Sequence, residues 1–368
     1  MIKTAYMDYN ATSVMLPSVR NAMADAFDLI GNPSSVHQVG RKARAAMEKA
    51  RDHVAGLVGV PRDWVIFTSG GSEADHLALN GVDVDRVLVS ATEHAAVLNA
   101  RKDVEIIPVD GNGLIDLSKL ESLLDDRKTL LSVMAANNET GAIQPIKEIC
   151  DLAHEKGVLV HCDAVQAVGK IDFDMPALGC DLVSLSAHKI GGPQGVGALV
   201  KRDGVILSAV QKGGGQEKSM RGGTENLIGI IGFGAAAEEK VDYSPVLALR
   251  DELEVQIQEL GAHIFSKDVA RLPNTSCFAL EGLTSERQVM ALDLAGVMVS
   301  AGSACSSGTV KNSHVLKAMQ VDDELANCAI RVSLGWDSKK DDIELFVQAW
   351  SKLVERVKQR KDSSVHAA

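Results

Sequence analysis

Short apolar segments alternate with longer amphipathic segments through roughly the first half of the chain. The apolar segments at residues 64–67, 86–90, 105–109, 130–135 and 158–160 are rich in Val, Ile and Leu. Parallel strands that are buried on both faces have this composition, and the connections between them need room for a helix. The alternation therefore predicts an α/β fold in which a large, mainly parallel sheet is covered by helices.

The chain is 368 residues long, which is more than a single hydrophobic core usually supports. We expect a large domain over residues 14–240 and a smaller α+β domain built from residues 1–13 and 241–368. The segment YSPV, at residues 243–246, places a proline before a new helical pattern and marks the change between the two domains.

Composition and charge narrow the class of function. The net charge is -11, and direct nucleic-acid binding needs a clustered basic face, so we expect none. No window approaches the length of apolar sequence that a membrane span needs, and the N-terminal segment lacks the pattern of a signal peptide. We therefore expect a soluble, cytoplasmic protein with no membrane contact.

The six cysteines indicate one reactive thiol rather than a metal site or a disulfide framework. They contain no C-x-x-C pair, so we expect no metal centre. Cys305 lies in VSAGSACSSGTVKNS, a small, polar stretch that we expect to be exposed, as a reactive thiol requires. The other five are predicted to be buried structural thiols, namely Cys150, Cys162, Cys180, Cys277 and Cys328.

One lysine stands between a predicted strand and a glycine-rich loop. In DLVSLSAHKIGGPQGVGAL, residues 181–199, Lys189 follows the apolar run and precedes several glycines. Desolvation at a strand end lowers the pKa of a lysine towards its nucleophilic neutral form, and its amine can condense with a carbonyl. Ser186 and His188 add donors suited to an anion. Judged alone, the segment fits a solvated loop lysine better than a catalytic one.

The segment WVIFTSGGSEADHLALNG leads from a predicted strand through two glycines into a helix. Gly70 and Gly71 allow the backbone to approach an anion, the first N–H groups of the helix point at it, and the Ser72 hydroxyl adds a donor. The spacing matches neither a dinucleotide fingerprint nor a Walker A loop. A site for a small phosphorylated cofactor and an ordinary N-capped helix both explain it.

Ligands of open α/β sheets bind at the carboxyl ends of the strands. Six polar residues are therefore expected to converge on one crevice, namely Ser72, His94, Asn138, Asp163, Gln166 and Lys189. Asp163 and Lys189 can form a plain salt bridge. An anion site, an aspartate for a pyridinium nitrogen and a lysine amine are also together what pyridoxal 5'-phosphate (PLP) requires. Asn32, in the turn GNPSS, is better explained as a helix cap than as a ligand contact.

Nine motifs, taken in their order along the chain, resemble those of a known protein family. The motifs are YMDYNAT, GNPSSVH, FTSGGSE, ATEH, NNETG, HCDAVQ, SLSAHKIGGPQGVGAL, GGGQEKSMRGGTEN and SAGSACSSG. Together they closely resemble the cysteine desulfurases of the class V aminotransferase family, the NifS and IscS type, over nearly the whole chain. The S-A-C context of Cys305 resembles group I of that family. The resemblance implies a PLP-dependent transferase of fold type I and a homodimer whose active sites take residues from both subunits.

The resemblance also implies roles for the residues around the cofactor. Lys189 is similar to the Schiff-base lysine, and Asp163 to the partner of the pyridine nitrogen. His94 is expected to stack on the ring and assist proton transfer, while Gln166 and Asn138 hold the phenolate oxygen or orient the ring. The phosphate is expected to bind Gly71, Ser72, Ser186 and His188, with Thr224 reaching it from the neighbouring subunit.

The reaction that the resemblance implies is desulfuration of L-cysteine. Arg331 is expected to bind the substrate carboxylate, assisted by Asn32, and Cys305 to take the sulfur as a persulfide, so that L-alanine is released. The sulfur then passes to an acceptor or scaffold protein, for iron-sulfur cluster assembly or thiolation. Two alternatives stay open. One is another class V PLP enzyme, such as a selenocysteine lyase or an aminotransferase on a different amino acid, and the other is a catalytically silent scaffold subunit.

The chain departs from the family pattern at a few positions. Ser72 replaces a common threonine and keeps its hydroxyl. Gly191 stands where a larger, often aromatic residue is usual, and Gln194 where a lysine is common. Because both lie in the loop after Lys189, we expect an effect on rate or substrate preference. The C-terminal KDSSVHAA shows no clear motif for docking a scaffold protein.

Overall fold

The structure is a computed structural model that describes residues 3–301 and 313–365, with side chains up to residue 359. Its strands are β1 (Ala5–Tyr6), β2 (Val65–Thr68), β3 (Arg86–Ser90), β4 (Val104–Ile107), β5 (Thr129–Met134), β6 (Leu159–Asp163), β7 (Leu182–Ser186), β8 (Gly197–Lys201), β9 (His263–Ile264), β10 (Thr275–Ala279), β11 (Val297–Met298), β12 (Ser300–Ala301) and β13 (Ala329–Ser333). Its helices are α1 (Pro17–Ala26), α2 (Gln38–Leu57), α3 (Gly71–Gly81), α4 (Ala95–Leu98), α5 (Leu117–Leu123), α6 (Ile146–Glu155), α7 (Met175–Leu178), α8 (Leu227–Glu238), α9 (Ser244–Glu259), α10 (Ser285–Leu294), α11 (His314–Ala318), α12 (Asp323–Ala326) and α13 (Lys340–Val365).

The larger sheet has seven strands in the order β2-β8-β7-β6-β5-β3-β4. Strands β3 to β7 are parallel to their neighbours among themselves, whereas β8 is antiparallel to both β7 and β2. Residues 187–196, which join β7 to β8, are too few for a crossover helix, so the chain returns beside β7 in the opposite direction. The predicted α/β fold with a mainly parallel sheet is confirmed.

Helices cover both faces of this sheet, as the sequence alternation predicts. On one face, Val133, Val160 and Val183 belong to a core that also contains residues of α2, α6 and α8. On the other face, Leu130 and Leu182 pack with residues of α3. Each fully buried Val or Leu contributes about 1.5–3 kcal/mol. Burial on both faces therefore fixes which strand residues point to each side.

A second sheet is antiparallel and has the order β12-β13-β10-β9, while β1 pairs in parallel with β11. Its core contains Phe278, Phe346 and Trp350, whose ring centroids lie 5.6–6.4 Å apart. Met7, near the start of the chain, packs into the same core. The domain limits at residues 14 and 241 stay predictions.

The described residues contain no helix of the length and apolar character that crossing a membrane requires. Within the same ranges, no cluster of three or more His, Cys, Asp or Glu residues is suited to hold a metal ion. The prediction of buried structural thiols is confirmed for Cys150, Cys162, Cys180, Cys277 and Cys328.

Candidate active site

A cavity of about 290 Å³ lies where the carboxyl ends of β5, β6 and β7 meet the start of α3. Ten of the predicted site residues line it, namely Gly71, Ser72, His94, Asn138, Asp163, Gln166, Ser186, His188, Lys189 and Arg331. Arg331 comes from β13 of the second sheet, so residues from both sheets meet at this cavity. The six strand-end residues that were expected to converge are all among them.

Lys189 ends a short 3₁₀ turn, Ala187–Lys189, that directly follows β7. Its Nζ donates hydrogen bonds to the backbone oxygens of Asn10 (2.6 Å) and Ala11 (2.9 Å). The turn depends on a small residue at Gly192, because a Cβ there would lie 2.8 Å from the Ala187 oxygen. Tight packing of this loop therefore directs the amine into the cavity against the N-terminal segment.

Asp163 is the last residue of β6 and is 6 % exposed. Its Oδ1 accepts a hydrogen bond from the Val165 amide (3.0 Å). Burial raises the pKa of Asp163, while that hydrogen bond and the charges of His94 and Lys189 lower it. Burial is the larger effect, and a cationic group bound in the cavity would oppose it, since a nearby positive charge favours the ionised form.

The start of α3 forms one wall of the cavity. A Cβ at Gly71 would lie 2.9 Å from Val165 Cγ2, so only glycine leaves the N-terminus of α3 close to the segment that follows β6. Glu73, in the first turn of α3, is paired with Arg221 (2.7 Å) and accepts from the Ser69 amide (2.7 Å). Because Glu73 is engaged there, the free N–H groups of the helix and the Ser72 hydroxyl can serve an anion.

Both histidines of the cavity favour the neutral form. Burial lowers the pKa of His94, and the charge of Lys189 lowers it further, although Asp163 opposes the shift. Nδ1 of His94 accepts from the Ala96 amide (3.1 Å), which places the proton of the neutral ring on Nε2. Burial, with the charges of Lys189 and Lys170, lowers the pKa of His188 to about 4. His188 Nδ1 lies 2.8 Å from Thr12 Oγ1.

Arg331 is 1 % exposed and is held by two groups of the cavity wall. Its Nη2 lies 2.6 Å from Asp8 Oδ1, and its Nη1 donates to the Asn138 oxygen (3.0 Å). Its Nε has no hydrogen-bond partner in the part of the chain that the structure describes. An unpaired buried donor of this kind is costly, so the site retains hydrogen-bonding capacity for an anionic ligand.

Asn10, which was not predicted as a site residue, connects the two sheets at the cavity. Its backbone oxygen accepts from Lys189 Nζ (2.6 Å) and Gln166 Nε2 (3.0 Å), both on the larger sheet's side. Its Nδ2 donates to Thr275 Oγ1 (2.9 Å) of β10, and its amide donates to Ser333 Oγ (3.0 Å) of β13. Asn10 is 1 % exposed, so these bonds form out of water.

A layer of buried polar groups lies behind Asp163, around His161 of the same strand. The sequence did not lead us to predict these groups as part of the site. His161 Nδ1 lies 2.8 Å from Ser132 Oγ, and its Nε2 lies 2.9 Å from Ser184 Oγ and 3.8 Å from Asp75 Oδ1. Burial raises the pKa of Asp75, as does the charge of Asp163, and burial lowers the pKa of His161 to about 3. The period of two along β6 was a usable signal, because it places His161 on the same face as Asp163.

Two of the predicted residues that the structure describes, Asn32 and Thr224, do not line the cavity. Asn32 is exposed, and its Oδ1 accepts from the Ser34 amide (2.8 Å) within the turn. The predicted helix cap is wrong, because α2 begins at Gln38 and is capped by His37, whose Nδ1 accepts from the Gly40 amide (3.2 Å). Thr224 lines a separate hollow with Ser69, Gly195 and Asn226. Cys305 lies outside the residues that the structure describes.

The two departures in the loop after Lys189 have different structural settings. Gly191 has φ +82°, and a Cβ there would lie 2.6 Å from Leu16 Cγ, so a larger residue needs both another backbone conformation and a shift of Leu16. Gln194 is exposed, and its Nε2 donates to Thr12 Oγ1 (3.3 Å). Leu16 thus occupies the space that a side chain at position 191 would enter.

The donors and acceptors of the cavity fit PLP. The N-terminus of α3 with Ser72 suits a phosphate, the buried Asp163 suits a pyridinium nitrogen, and the Lys189 amine suits a carbonyl. The Arg331 Nε described above is a further donor for an anion beside them.

Comparisons with known proteins identify the family of this chain. Residues 5–346 match the model of the Aminotransferase class-V family. The chain is 40% identical to a cysteine desulfurase of Cereibacter sphaeroides, over 97% of both chains. It is 38% identical to the cysteine desulfurase IscS of Dictyoglomus turgidum, over 97% of this chain and 96% of that one.

Solved structures give the same result for the fold. A NifS-like protein from Rickettsia africae superposes with a TM-score of 0.89 at 34% identity, over 96% of this chain and 100% of that one. A structure described as SspA in complex with cysteine superposes with a TM-score of 0.82 at 31% identity, over 91% of this chain and 100% of that one. The predictions of the fold type and of the resemblance are confirmed: this chain belongs to the aminotransferase class-V family, among relatives that are cysteine desulfurases of the IscS and NifS-like type.

Proposed function

We propose that this protein is a PLP-dependent cysteine desulfurase, which takes the sulfur of L-cysteine and releases L-alanine. The observation that carries the proposal is the cavity itself. It places the Lys189 amine, the Asp163 carboxyl, the helix N-terminus at Ser72 and the guanidinium of Arg331 around about 290 Å³. These groups bind a carbonyl, a pyridinium nitrogen, a phosphate and a carboxylate, which are the functional groups of PLP and an amino acid.

PLP, when bound, supplies an electron sink for bond changes at the substrate. Lys189 would hold it covalently, and Asp163 would pair with its ring nitrogen. The ring of His94 would stack on it, while Gln166 and Asn138 would contact its phenolate oxygen. Its phosphate would be bound by Gly71, Ser72, Ser186 and His188, and by Thr224 of a second copy of the chain, since Thr224 does not line its own cavity.

The protons of the reaction can be handled by two groups of this chain. Lys189 Nζ is surrounded by backbone oxygens of Asn10 and Ala11, which accept its hydrogen bonds without neutralising it. Burial lowers the pKa of His94 and so favours its neutral form, in which Nε2 carries the proton. A neutral imidazole can both give and take a proton, which suits general acid–base chemistry near neutral pH.

The sulfur transfer needs one nucleophilic thiol, and Cys305 is proposed for it. Its thiolate attacks the sulfur of the bound cysteine, an S–S bond forms, and the C–S bond of the substrate breaks. The electron pair of that bond stays with the carbon skeleton, which gains a proton and leaves as L-alanine. L-cysteine and the Cys305 thiol thus become L-alanine and a Cys305 persulfide, with atoms and electrons balanced.

Arg331 is proposed to bind the substrate carboxylate through a bidentate pair, and this can be tested by Arg331→Lys. We expect the KM for L-cysteine to rise about 10- to 100-fold with a smaller change in kcat, because lysine offers a point charge in place of a planar fork. Asp8, which lies 2.6 Å from Arg331, would also lose its bonding partner. Initial rates over a range of L-cysteine concentrations measure both constants. Arg127→Lys, at a side chain that is 53% exposed, is the matched control, and an unchanged KM for Arg331→Lys contradicts the role.

Partners and location follow from the same proposal. We propose a cytoplasmic homodimer that passes its sulfur to an acceptor or scaffold protein, for iron-sulfur cluster assembly or thiolation. The net charge of -11 disfavours direct binding to nucleic acid.

The proposed function is tested by incubating the protein with PLP, L-cysteine and a thiol reductant. We expect equal amounts of L-alanine and sulfide, because the reductant releases the persulfide sulfur as sulfide after each turnover. L-selenocysteine and a 2-oxo acid acceptor are run in parallel. Alanine from selenocysteine alone would indicate a selenocysteine lyase, and transfer of the amino group to the oxo acid would indicate an aminotransferase. Either result contradicts the proposal.

A further inference from the structure

Lys170 is a buried cation that the proposed mechanism does not use. It follows Gln166 by four residues in the turn after β6, and only 6% of it is exposed. Its Nζ donates to Gln166 Oε1 (2.6 Å) and to Asn10 Oδ1 (3.2 Å), which are both neutral acceptors. No carboxylate of the described residues lies within ion-pair distance of it. Lysine is seldom buried without a charged partner, so this placement needs an explanation.

The contact with Lys170 determines which way the Gln166 amide faces. A lysine ammonium group can only donate, so the atom of Gln166 beside it must be the oxygen. The NH2 group then points the other way, where it donates to the Asn10 backbone oxygen (3.0 Å). That oxygen also accepts from Lys189 Nζ. One of the two Nε2 hydrogens is thus used by Asn10, and the other is available to a ligand in the cavity, which Gln166 lines.

The same ammonium group orders the side chain of Asn10. Asn10 Oδ1 accepts from Lys170 Nζ and from Asn274 Nδ2 (3.1 Å), so its Nδ2 is the atom that donates to Thr275 Oγ1 and to the Asn138 oxygen. Reversing either amide would bring an NH2 group against the lysine and leave a buried donor unpaired, which is costly. Lys170 therefore fixes the orientation of two amides next to Lys189.

We propose that Lys170 is a positioning residue that holds the Gln166 amide with its NH2 group towards the cofactor, so that Gln166 can only donate to the phenolate oxygen. This inference rests on the proposed PLP function. Donation stabilises negative charge on that oxygen, whereas the reversed amide would place its own oxygen there and repel it. Burial lowers the pKa of Lys170, as do the charges of Lys189 and Arg331. The Gln166 and Asn10 oxygens that accept from its ammonium group oppose this shift, because hydrogen bonds to the charged form favour it.

The experiment compares Lys170→Met in two backgrounds, the natural chain and Gln166→Ala. The readouts are the visible absorption spectrum of the PLP-loaded protein across pH and its dissociation constant for PLP. In the natural background we expect a shifted band and PLP binding that is about tenfold to a hundredfold weaker, the effect of one lost hydrogen bond to a charged group. In the Gln166→Ala background we expect Lys170→Met to change both readouts much less, because only its contact with Asn10 remains to be lost. Equal changes in both backgrounds overturn the proposal, because Lys170 would then act without Gln166, and no change in either also overturns it.

Control variants distinguish the loss of the Lys170 contact from misfolding of the protein and from failure of the proposed function. Lys156→Met, at an exposed lysine, should leave the spectrum and PLP affinity unchanged. Where Lys170→Met does not accumulate as a folded protein, Lys170→Gln is used. A glutamine amide can present either its NH2 group or its oxygen to Gln166, so it no longer fixes the Gln166 amide, and a dependence on Gln166 in the same direction is expected. A natural chain that gives no PLP band at all refutes the proposed function. A normal band in the natural chain, with no Gln166-dependent change in the variant, refutes only the role of Lys170.

Discussion

Lys189→Ala is expected to lower alanine formation from L-cysteine on the order of a thousandfold or more, while the protein stays folded. The variant removes the amine that the cavity offers to the cofactor carbonyl and to the substrate proton. The amine of Lys170, whose pKa the charge of Lys189 lowers, is engaged with Gln166 and Asn10. The fold should persist because the Asn10 oxygen keeps its hydrogen bond from Gln166 Nε2. Alanine is measured at matched protein concentration, and thermal unfolding and circular dichroism report on the fold.

A matched surface variant makes this result specific. Lys128→Ala removes a lysine side chain that is 71% exposed, and its activity should equal that of the natural chain. Borohydride reduction of the natural protein with PLP, followed by peptide mass spectrometry, should place the label on Lys189. A label on Lys170, or a Lys189→Ala variant with a tenth or more of the natural activity, contradicts the assignment.

The larger sheet was predictable because its strands are buried on both faces and therefore read as apolar runs. β6 shows the limit of that signal. The apolar run suggested a strand at residues 158–160, whereas the strand continues to Asp163, the residue that the site uses. Polar groups at the end of a buried strand break the apolar pattern although the backbone remains extended. The antiparallel direction of β8 followed from the short connection at residues 187–196 and not from its composition.

The carboxyl ends of the strands predicted where the ligand site lies, but not the contacts between distant parts of the chain. Asn10 bonds to Lys189, Thr275 and Ser333, and no local pattern at the start of a chain indicates such partners. Lys170 looks like a surface residue in sequence, because nothing in HCDAVQAVGK shows that its ammonium group is buried. The partners of Asn10 and the burial of Lys170 become visible only in the tertiary structure.

Asn32 and Thr224 are two predicted site residues that do not line the cavity within a single copy of the chain. The resemblance assigned both to the active site, yet Asn32 is exposed and Thr224 lines a different hollow. The loop of Thr224 is firmly anchored within its own chain. Arg51 forms a bidentate pair with the buried Glu217 (2.7 and 2.8 Å), and Arg221 pairs with Glu73. A fixed loop whose threonine does not face its own cavity supports the proposal of a second copy, where that hydroxyl would serve the other subunit.

Cys305→Ala is expected to abolish alanine and sulfide production while leaving PLP binding unchanged. The reason is that the sulfur has no other acceptor at the cavity. The five described cysteines are buried, and none of them lines the cavity. A loss on the order of a thousandfold is expected when a nucleophile that forms a covalent intermediate is removed. Alanine and sulfide are measured by turnover, and PLP binding by its visible band.

In a single turnover without reductant, the natural chain should keep the transferred sulfur atom on Cys305. Intact-protein and peptide mass spectrometry should show one added sulfur atom, located on the peptide that contains Cys305, together with one alanine per active site. Cys328→Ala is the matched control, because this thiol is buried and contacts a core away from the cavity, so it should form both products normally. If Cys305→Ala releases alanine at the natural rate, sulfur leaves the substrate without a protein acceptor. The enzyme would then be a lyase that frees its product directly, and a transfer of sulfur to a partner protein would have no covalent carrier.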